Sequence, residues 1–287
     1  MKDYYKNIKN FFKNISQEYI IDDLTNETKS PELVAENDPN SFIVEQYRNI
    51  AFGIRKLRKQ NGSKVFLFTS PQPQDGKTTT VANLGVVLAK DFNKKVLIID
   101  GDLRRPNIHK IFQKSNKIGF ADMLLEKDLN TDYIVDSEIK NLSLLLAGRY
   151  SPENFLGNDE IKNIINKLKY EYDFVLIDSA PILKVTDATV LGQYVDATIL
   201  VIKAQNTPSK LIKEAKQLLK NHEVNPVASI LVNHCHLVDL YSYCVNPHYR
   251  NYYSNYYEAY GKTDTSLEKE AISKNSESES ESNQLSV

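Results

Sequence analysis

A chain of 287 residues with 41% hydrophobic content can build the core of one domain of roughly 200 residues and still carry polar ends. Its formal net charge of −1 lacks the basic excess of a dedicated nucleic-acid binder, so no nucleic-acid partner is expected. Two cysteines, Cys235 and Cys244, exclude a disulfide scaffold and fit a reducing compartment. No apolar run reaches the ~20 residues of a membrane span, and the N-terminus lacks the apolar core of a signal peptide. A cytoplasmic location is therefore expected. The flanking histidines of His234-Cys235-His236 match no usual zinc spacing.

Taken in chain order, residues 1–20 place Tyr4, Ile8, Phe11, Phe12, Ile15 and Tyr19 at helical spacing, with Lys2, Lys6, Lys9 and Lys13 between them. This pattern predicts an amphipathic helix with a basic face. It suits docking on a partner, lying on an anionic membrane surface, or packing on its own domain. Asp22–Asn40, rich in Asp, Glu, Asn, Thr and Pro, reads as a linker. A second helix is expected over Phe42–Lys59. Strand–helix alternation follows: apolar, β-branched runs at Val65–Phe68, Val96–Ile99, Leu142–Leu146, Phe174–Ile177, Ala197–Ile202 and Ala228–Val232, separated by helices such as Thr78–Lys90, Asp159–Lys169 and Ser209–Asn221. Near-continuous apolar strands with helical crossovers predict an α/β fold with a mostly parallel central sheet covered by helices on both faces. Regular patterning stops at Tyr241. Asp264–Val287, which holds six acidic and two basic residues, no aromatics and the run SESESES, is expected to be disordered.

Three strand ends carry residues that phosphate chemistry needs. VFLFTSPQPQDGKTTT (Val65–Thr80) leads a strand through a tight loop into a helix at Gly76-Lys77-Thr78. Backbone N–H groups at such a helix start, with the helix dipole behind them, favour an anion. Lys77 would reach the β and γ phosphates of ATP, and the Thr78 hydroxyl would ligate Mg2+, with Asp75, Gly76 and Thr79 completing the nucleotide-binding run. Strict G-x-x-x-x-G-K-[ST] spacing puts its first glycine at Pro71, a departure from the plain form. VLIIDGDLRRP (Val96–Pro106) ends in Asp100 and Asp102, and FVLIDSAP (Phe174–Pro181) ends in Asp178. One strand-end aspartate is commonly a cap or turn former. Several beside a triphosphate need a divalent cation to offset repulsion, which is the P-loop NTPase arrangement.

These residues, in this order, resemble the bacterial tyrosine kinases of capsule and exopolysaccharide synthesis, whose fold is the P-loop, MinD-like one. The resemblance covers roughly Phe42–Tyr260. Its specific marks are the proline-containing loop ending DGKTTT, the paired aspartates of IIDGDLRRP, FVLIDSAP, and a terminal tyrosine cluster. Weaker matches are Gly119-Phe120-Ala121-Asp122, LLLAGRYSPENFL (Leu144–Leu156) and Val185-Thr186-Asp187-Ala188. The resemblance implies that Lys77 and Thr78 hold phosphates and metal, that Asp100 and Asp102 stand at the reacting centre, that Thr78, Asp100 and Asp178 organise Mg2+, and that Asn233 contacts the adenine. Asn233 reads equally well as a turn former. The implied organisation is an N-terminal helix and linker (1–40), a P-loop kinase domain (41–240), the tyrosine cluster (241–260) and an acidic tail (261–287).

The cluster YSYCVNPHYRNYYSNYYEAY supplies the implied phosphoacceptors Tyr241, Tyr243, Tyr249, Tyr252, Tyr253, Tyr256, Tyr257 and Tyr260, eight of seventeen tyrosines in the chain. The resemblance further implies a separate membrane activator of the polysaccharide co-polymerase type that recruits the chain to the inner face of the plasma membrane. It also implies self-association, in some relatives as a ring, and a cognate tyrosine phosphatase. The family's oligomerisation helix carries Glu-x-x-Arg-x-x-Arg; here Glu45 and Arg48 are present, Ala51 replaces the second arginine, and Arg55 lies one turn on. The competing reading is a regulatory ATPase of the MinD or ParA type, whose loop has an extra lysine that SPQPQDGKT lacks. A single-strand-binding aromatic surface fits poorly, since Arg250 is the one basic side chain of the cluster apart from a histidine.

Overall fold

The computed structural model describes residue 30 and residues 32–126, 131–149, 160–224 and 226–232. The expectations for residues 1–20, Asn233, the tyrosine cluster and the acidic tail lie outside the described residues. Among the described residues seven strands form one sheet: β1 (Val65–Thr69), β2 (Val96–Asp100), β3 (Ile134–Asp136), β4 (Leu142–Leu145), β5 (Phe174–Asp178), β6 (Ala197–Lys203) and β7 (Pro226–Val232), in the order β3-β4-β2-β5-β1-β6-β7. Every pairing is parallel except β3 with β4. β1, β2 and β5 bury every residue, which is why they read as unbroken apolar runs and not as alternating ones.

The period of two along each strand divides the core. Phe66, Phe68, Ile98 and Leu176 face Val44, Ile54, Leu84 and Leu88 of the helices α2 (Phe42–Asn61) and α3 (Lys77–Lys90). Val65, Leu67, Ile99 and Ile177 face Phe120 and Leu124 of α5 (Phe120–Glu126) and Ile161, Ile164 and Leu168 of α6 (Glu160–Glu171). Beyond β1, Leu200 and Ile202 pack with Ala215 and Leu219 of α8 (Ser209–Asn221). Two short helices, α4 (Ile108–Ile111) and α7 (Asp187–Gly192), follow β2 and β5. Within the described residues the expected strands and helices form, with ends within two residues of the sequence reading. No described helix is long and apolar enough to cross a membrane.

Some elements escape the pattern. Within the expected linker, Val34–Asn37 form α1, with Leu33 and Ala35 buried. One helical turn is too short to show a period, and its polar composition hides the two buried positions. What fixes it is distant in sequence: the fully buried Asn83 of α3 accepts from the Ala35 amide at 2.8 Å and donates to the Glu32 carbonyl at 2.8 Å. Lys90 pairs with Glu36 at 2.8 Å. β3 is equally short and half-exposed, so its sequence carries no alternation to read.

The α2 pattern is accounted for within the chain. Arg48 donates to Asp91 at 2.7 Å, to Glu45 at 3.0 Å and to the Pro39 carbonyl at 3.0 Å. Ala51 is fully buried against the α3 side of the core. The Arg55 guanidinium stacks 4.3 Å from the Phe92 ring centroid. Restoring the family arginine by Ala51→Arg forces a charged chain into that core. It is expected to cost more than about 3 kcal/mol, read as a lowered urea midpoint. A variant unfolding at the wild-type midpoint would contradict this packing.

Candidate active site

The three central strands β2, β5 and β1 end side by side, and the sequence-predicted residues meet there. In the loop between β1 and α3, Gln74 has φ 64° and Gly76 φ 87°, so the chain passes through left-handed backbone before α3 starts at Lys77. The Lys77 side chain is buried beside Asp102 and Asp178, whose carboxyls it stabilises in their charged form. Thr78 Oγ1 donates to Asp178 Oδ2 at 2.6 Å. Thr79 and Thr80 continue the helix, and Thr80 Oγ1 donates back to the Gly76 carbonyl at 2.8 Å. Asp75 is fully buried in the loop; its Oδ1 accepts from Thr207 Oγ1 at 2.8 Å and from Gln72 Nε2 at 3.2 Å.

Asp100 and Asp178 are register partners on adjacent parallel strands, which puts their side chains on one face about 4.8 Å apart at the backbone. The strand exit is locked by the Gly101 amide donating to the Asp178 carbonyl at 2.8 Å. A Cβ at Gly101 would lie 2.7 Å from that carbonyl oxygen, so only glycine fits. Asp100 Oδ2 accepts from the amides of Asn107 and Ile108, both at 3.0 Å, and Asp102 Oδ1 accepts from the Arg105 amide at 3.1 Å. Across the rim, Arg104 grips the buried Asp187 of α7 through Nε at 2.8 Å and a second nitrogen at 3.3 Å. Sequence reading flagged the stretches containing Arg104 and Asp187 but not their pairing. Thr207, 132 residues from Asp75, gave no sequence signal at all.

Electrostatics follow from burial. Burial first, then the neighbouring Asp178 charge, raises Asp100 well above the usual carboxylate range against the two backbone donors. Burial also raises Asp102, with Lys77 and the Arg105 amide opposing. Asp178 is pushed up to about 6 by burial, despite Lys77 and the Thr78 hydroxyl. Two buried carboxylate oxygens, Asp100 Oδ1 and Asp178 Oδ1, have no hydrogen-bond partner among the described residues. An ionised carboxylate oxygen only accepts, so a donor or cation satisfies it. Among the described residues no group of three His, Cys, Asp or Glu side chains forms a metal cage. Magnesium does not require one, since it keeps waters and substrate oxygens and uses one or two carboxylates. The donor set of Thr78, Asp178 and Asp100 fits that ion.

Comparison with known proteins places this geometry. The AAA domain family matches residues 74–223. Tyrosine-protein kinase YwqD of Bacillus subtilis (strain 168) is 36% identical over 189 residues, spanning 65% of this chain and 79% of that protein. The putative tyrosine-protein kinase CapB of Staphylococcus aureus is 36% identical over 194 residues, 67% of this chain and 84% of that protein. The solved kinase domain of Escherichia coli tyrosine kinase ETK superposes with a TM-score of 0.67 at 28% identity, covering 71% of this chain and 80% of that one.

Asp178 in the nucleotide-free protein gives a signed expectation. Its folded value of about 6 exceeds the ~3.9 of a free aspartate. The native state therefore holds a proton that the unfolded chain has lost, and stability falls as pH rises from ~4 through 6. Asp178→Asn should raise the nucleotide-free melting midpoint at pH 7.5 by roughly 3–8 °C, a gain that vanishes below pH 4. A midpoint equal to or below wild type at pH 7.5 would contradict it.

Proposed function

This chain belongs to the bacterial tyrosine-protein kinases, which are built on a P-loop nucleotide-binding fold, and from that membership we propose that it phosphorylates its own C-terminal tyrosines and thereby regulates the synthesis and export of a capsular or exopolysaccharide. The reaction is transfer of the ATP γ-phosphoryl group to a tyrosine hydroxyl. The observation that carries the finer reading is the convergence of Lys77, Thr78, Asp100, Asp102 and Asp178 at three neighbouring strand ends, two of the carboxylates each with an oxygen unpartnered among the described residues. The acceptors are Tyr241, Tyr243, Tyr249, Tyr252, Tyr253, Tyr256, Tyr257 and Tyr260.

In this reading the phosphates lie on the amides of the Asp75–Thr79 run, and Lys77 offsets charge gathering on the transferred group. Thr78, Asp178 and Asp100 would hold Mg2+, which when bound supplies positive charge against phosphates and carboxylates alike. Asp102 orients the phenol and accepts its proton. A free aspartate titrates near ~3.9 and tyrosine near ~10, so transfer in the ground state would cost on the order of 8 kcal/mol. Burial of Asp102 narrows that gap. A loose transition state, needing little prior deprotonation, removes most of what is left. The P–O bond to ADP breaks, a P–O bond to the tyrosine oxygen forms, and the phenol proton passes to Asp102.

The partners proposed are a membrane activator on a separate chain, which recruits this one to the inner face of the plasma membrane, a second copy of the chain, in a ring or a smaller assembly, and a tyrosine phosphatase. Each phosphotyrosine adds about −1.5 to −2 charge, so eight add roughly −12 to −16 and drive copies apart. Sedimentation of the phosphorylated chain should show smaller species than the unmodified one; identical profiles would refute the repulsion.

Incubating the full chain with ATP and MgCl2, alone and with a cytoplasmic peptide of a candidate activator, and mapping phosphate by mass spectrometry tests the assignment. Several of the eight tyrosines should be modified. Lys77→Met should lower turnover at least ~100-fold, and Asp102→Asn should lower kcat by ~100-fold or more with little change in KM for ATP. ATP hydrolysis without phosphotyrosine would select a regulatory ATPase instead.

A further inference from the structure

Asp75 poses a physical problem. It is a fully buried aspartate inside the loop that must receive a triphosphate, one residue before Gly76 and two before Lys77. Turned toward the nucleotide, its carboxylate would repel the ligand. Its two oxygens are instead engaged by protein donors, Oδ1 by Thr207 at 2.8 Å and Gln72 Nε2 at 3.2 Å, and Oδ2 by the Gln72 backbone amide at 3.4 Å. Gln72 is itself pinned, its carbonyl accepting from Ser70 Oγ at 2.7 Å.

Thr207 belongs to the turn that leaves β6. Its hydroxyl accepts from the Lys203 amide at 3.2 Å, and its own amide donates to the Lys203 carbonyl at 3.0 Å. Gln205 turns the chain with φ 61°, and the Ala204 amide donates to the Val232 carbonyl at 2.9 Å. The hydroxyl has one proton; Lys203 takes its lone pair and Asp75 receives that proton, so its direction is fixed. Gln72 Nε2 also reaches the Asn206 carbonyl at 3.5 Å. On the same side, Val232 Cγ2 stands 3.4 Å from where a Cβ of Gly76 would be.

We propose that Thr207 is a positioning residue for ATP: through Asp75 it holds the phosphate-binding loop open and keeps the loop's own carboxylate away from the phosphates. This rests on the nucleotide site proposed above and adds a residue from the β6–α8 turn to it. Losing the hydroxyl leaves a buried anion short of a donor, which either swings toward the phosphates or drags the loop with it. Both outcomes weaken ATP binding while leaving Asp100, Asp102 and Asp178, which stand on other elements, in place.

The test measures Mg·ATP binding to the full chain by titration calorimetry, separately from phosphotransfer. Thr207→Val should raise Kd and KM for ATP about tenfold, with kcat within twofold of wild type, and Thr207→Ser should bind like wild type. Thr207→Ala, which adds no bulk, is the companion if valine disturbs the turn. In an Asp75→Asn background, whose uncharged amide needs the donor less, Thr207→Val should cost under threefold. Wild-type affinity in Thr207→Val and Thr207→Ala, an undiminished penalty in the Asp75→Asn background, or a loss confined to kcat would each overturn the proposal. Failure of the wild-type chain to bind ATP would instead remove the underlying site.

Discussion

Two buried carboxyl groups on adjacent central strands, Asp100 and Asp178, are the constraint around which the site is organised. Parallel pairing makes them register neighbours, and the covered sheet removes them from water. Burial disfavours the charged form of both, and the Asp178 charge adds to it at Asp100, which is the physical origin of the raised Asp100 and of Asp178 near 6. Everything nearby answers that problem in part. Lys77 comes up from the start of α3, the Thr78 hydroxyl donates to one oxygen, and the Asn107 and Ile108 amides donate to another. Asp100 Oδ1 and Asp178 Oδ1, which find no donor among the described residues, are the oxygens that can accept from a further donor or a cation.

Such an arrangement is stable only because the surrounding fold over-determines it. The sheet core on both faces fixes the strand register, and a one-residue slip would turn the carboxylates to the opposite side. Around the rim, pairs between elements far apart in sequence hold the loops: Arg104 to Asp187, Thr207 to Asp75, and Gly101 to the Asp178 carbonyl. These loops are therefore tied to one another at the positions that support charge.

Much of this was legible in the sequence because parallel, doubly covered strands write themselves as apolar runs, and because the strand-end aspartates and the DGKTTT run have chemistry that composition alone cannot explain. Strand order was not legible, yet the expectation that three particular strand ends adjoin is met by β2-β5-β1 at the sheet centre. What stayed hidden has a common cause. α1 and β3 are too short to repeat the periodic signal that would reveal them, and the Thr207–Asp75 and Asn83–Ala35 bonds join residues with no local spacing to betray them. Ala51 was noticed as a departure, but only its burial shows that an arginine has no room there.

The attachment of α1 to Asn83 bears on where this molecule can be cut. A fragment begun at residue 41 would discard the Glu32 carbonyl and the Ala35 amide, taking the donor from Asn83 Oδ1 and leaving Asn83 Nδ2 with the Thr79 carbonyl, on the helix that also carries Lys77 and Thr78. Leu33 and Ala35 would no longer shield that helix from solvent. The natural excision point for the catalytic unit therefore lies upstream of Glu32, and truncations made downstream of it would report on a damaged scaffold.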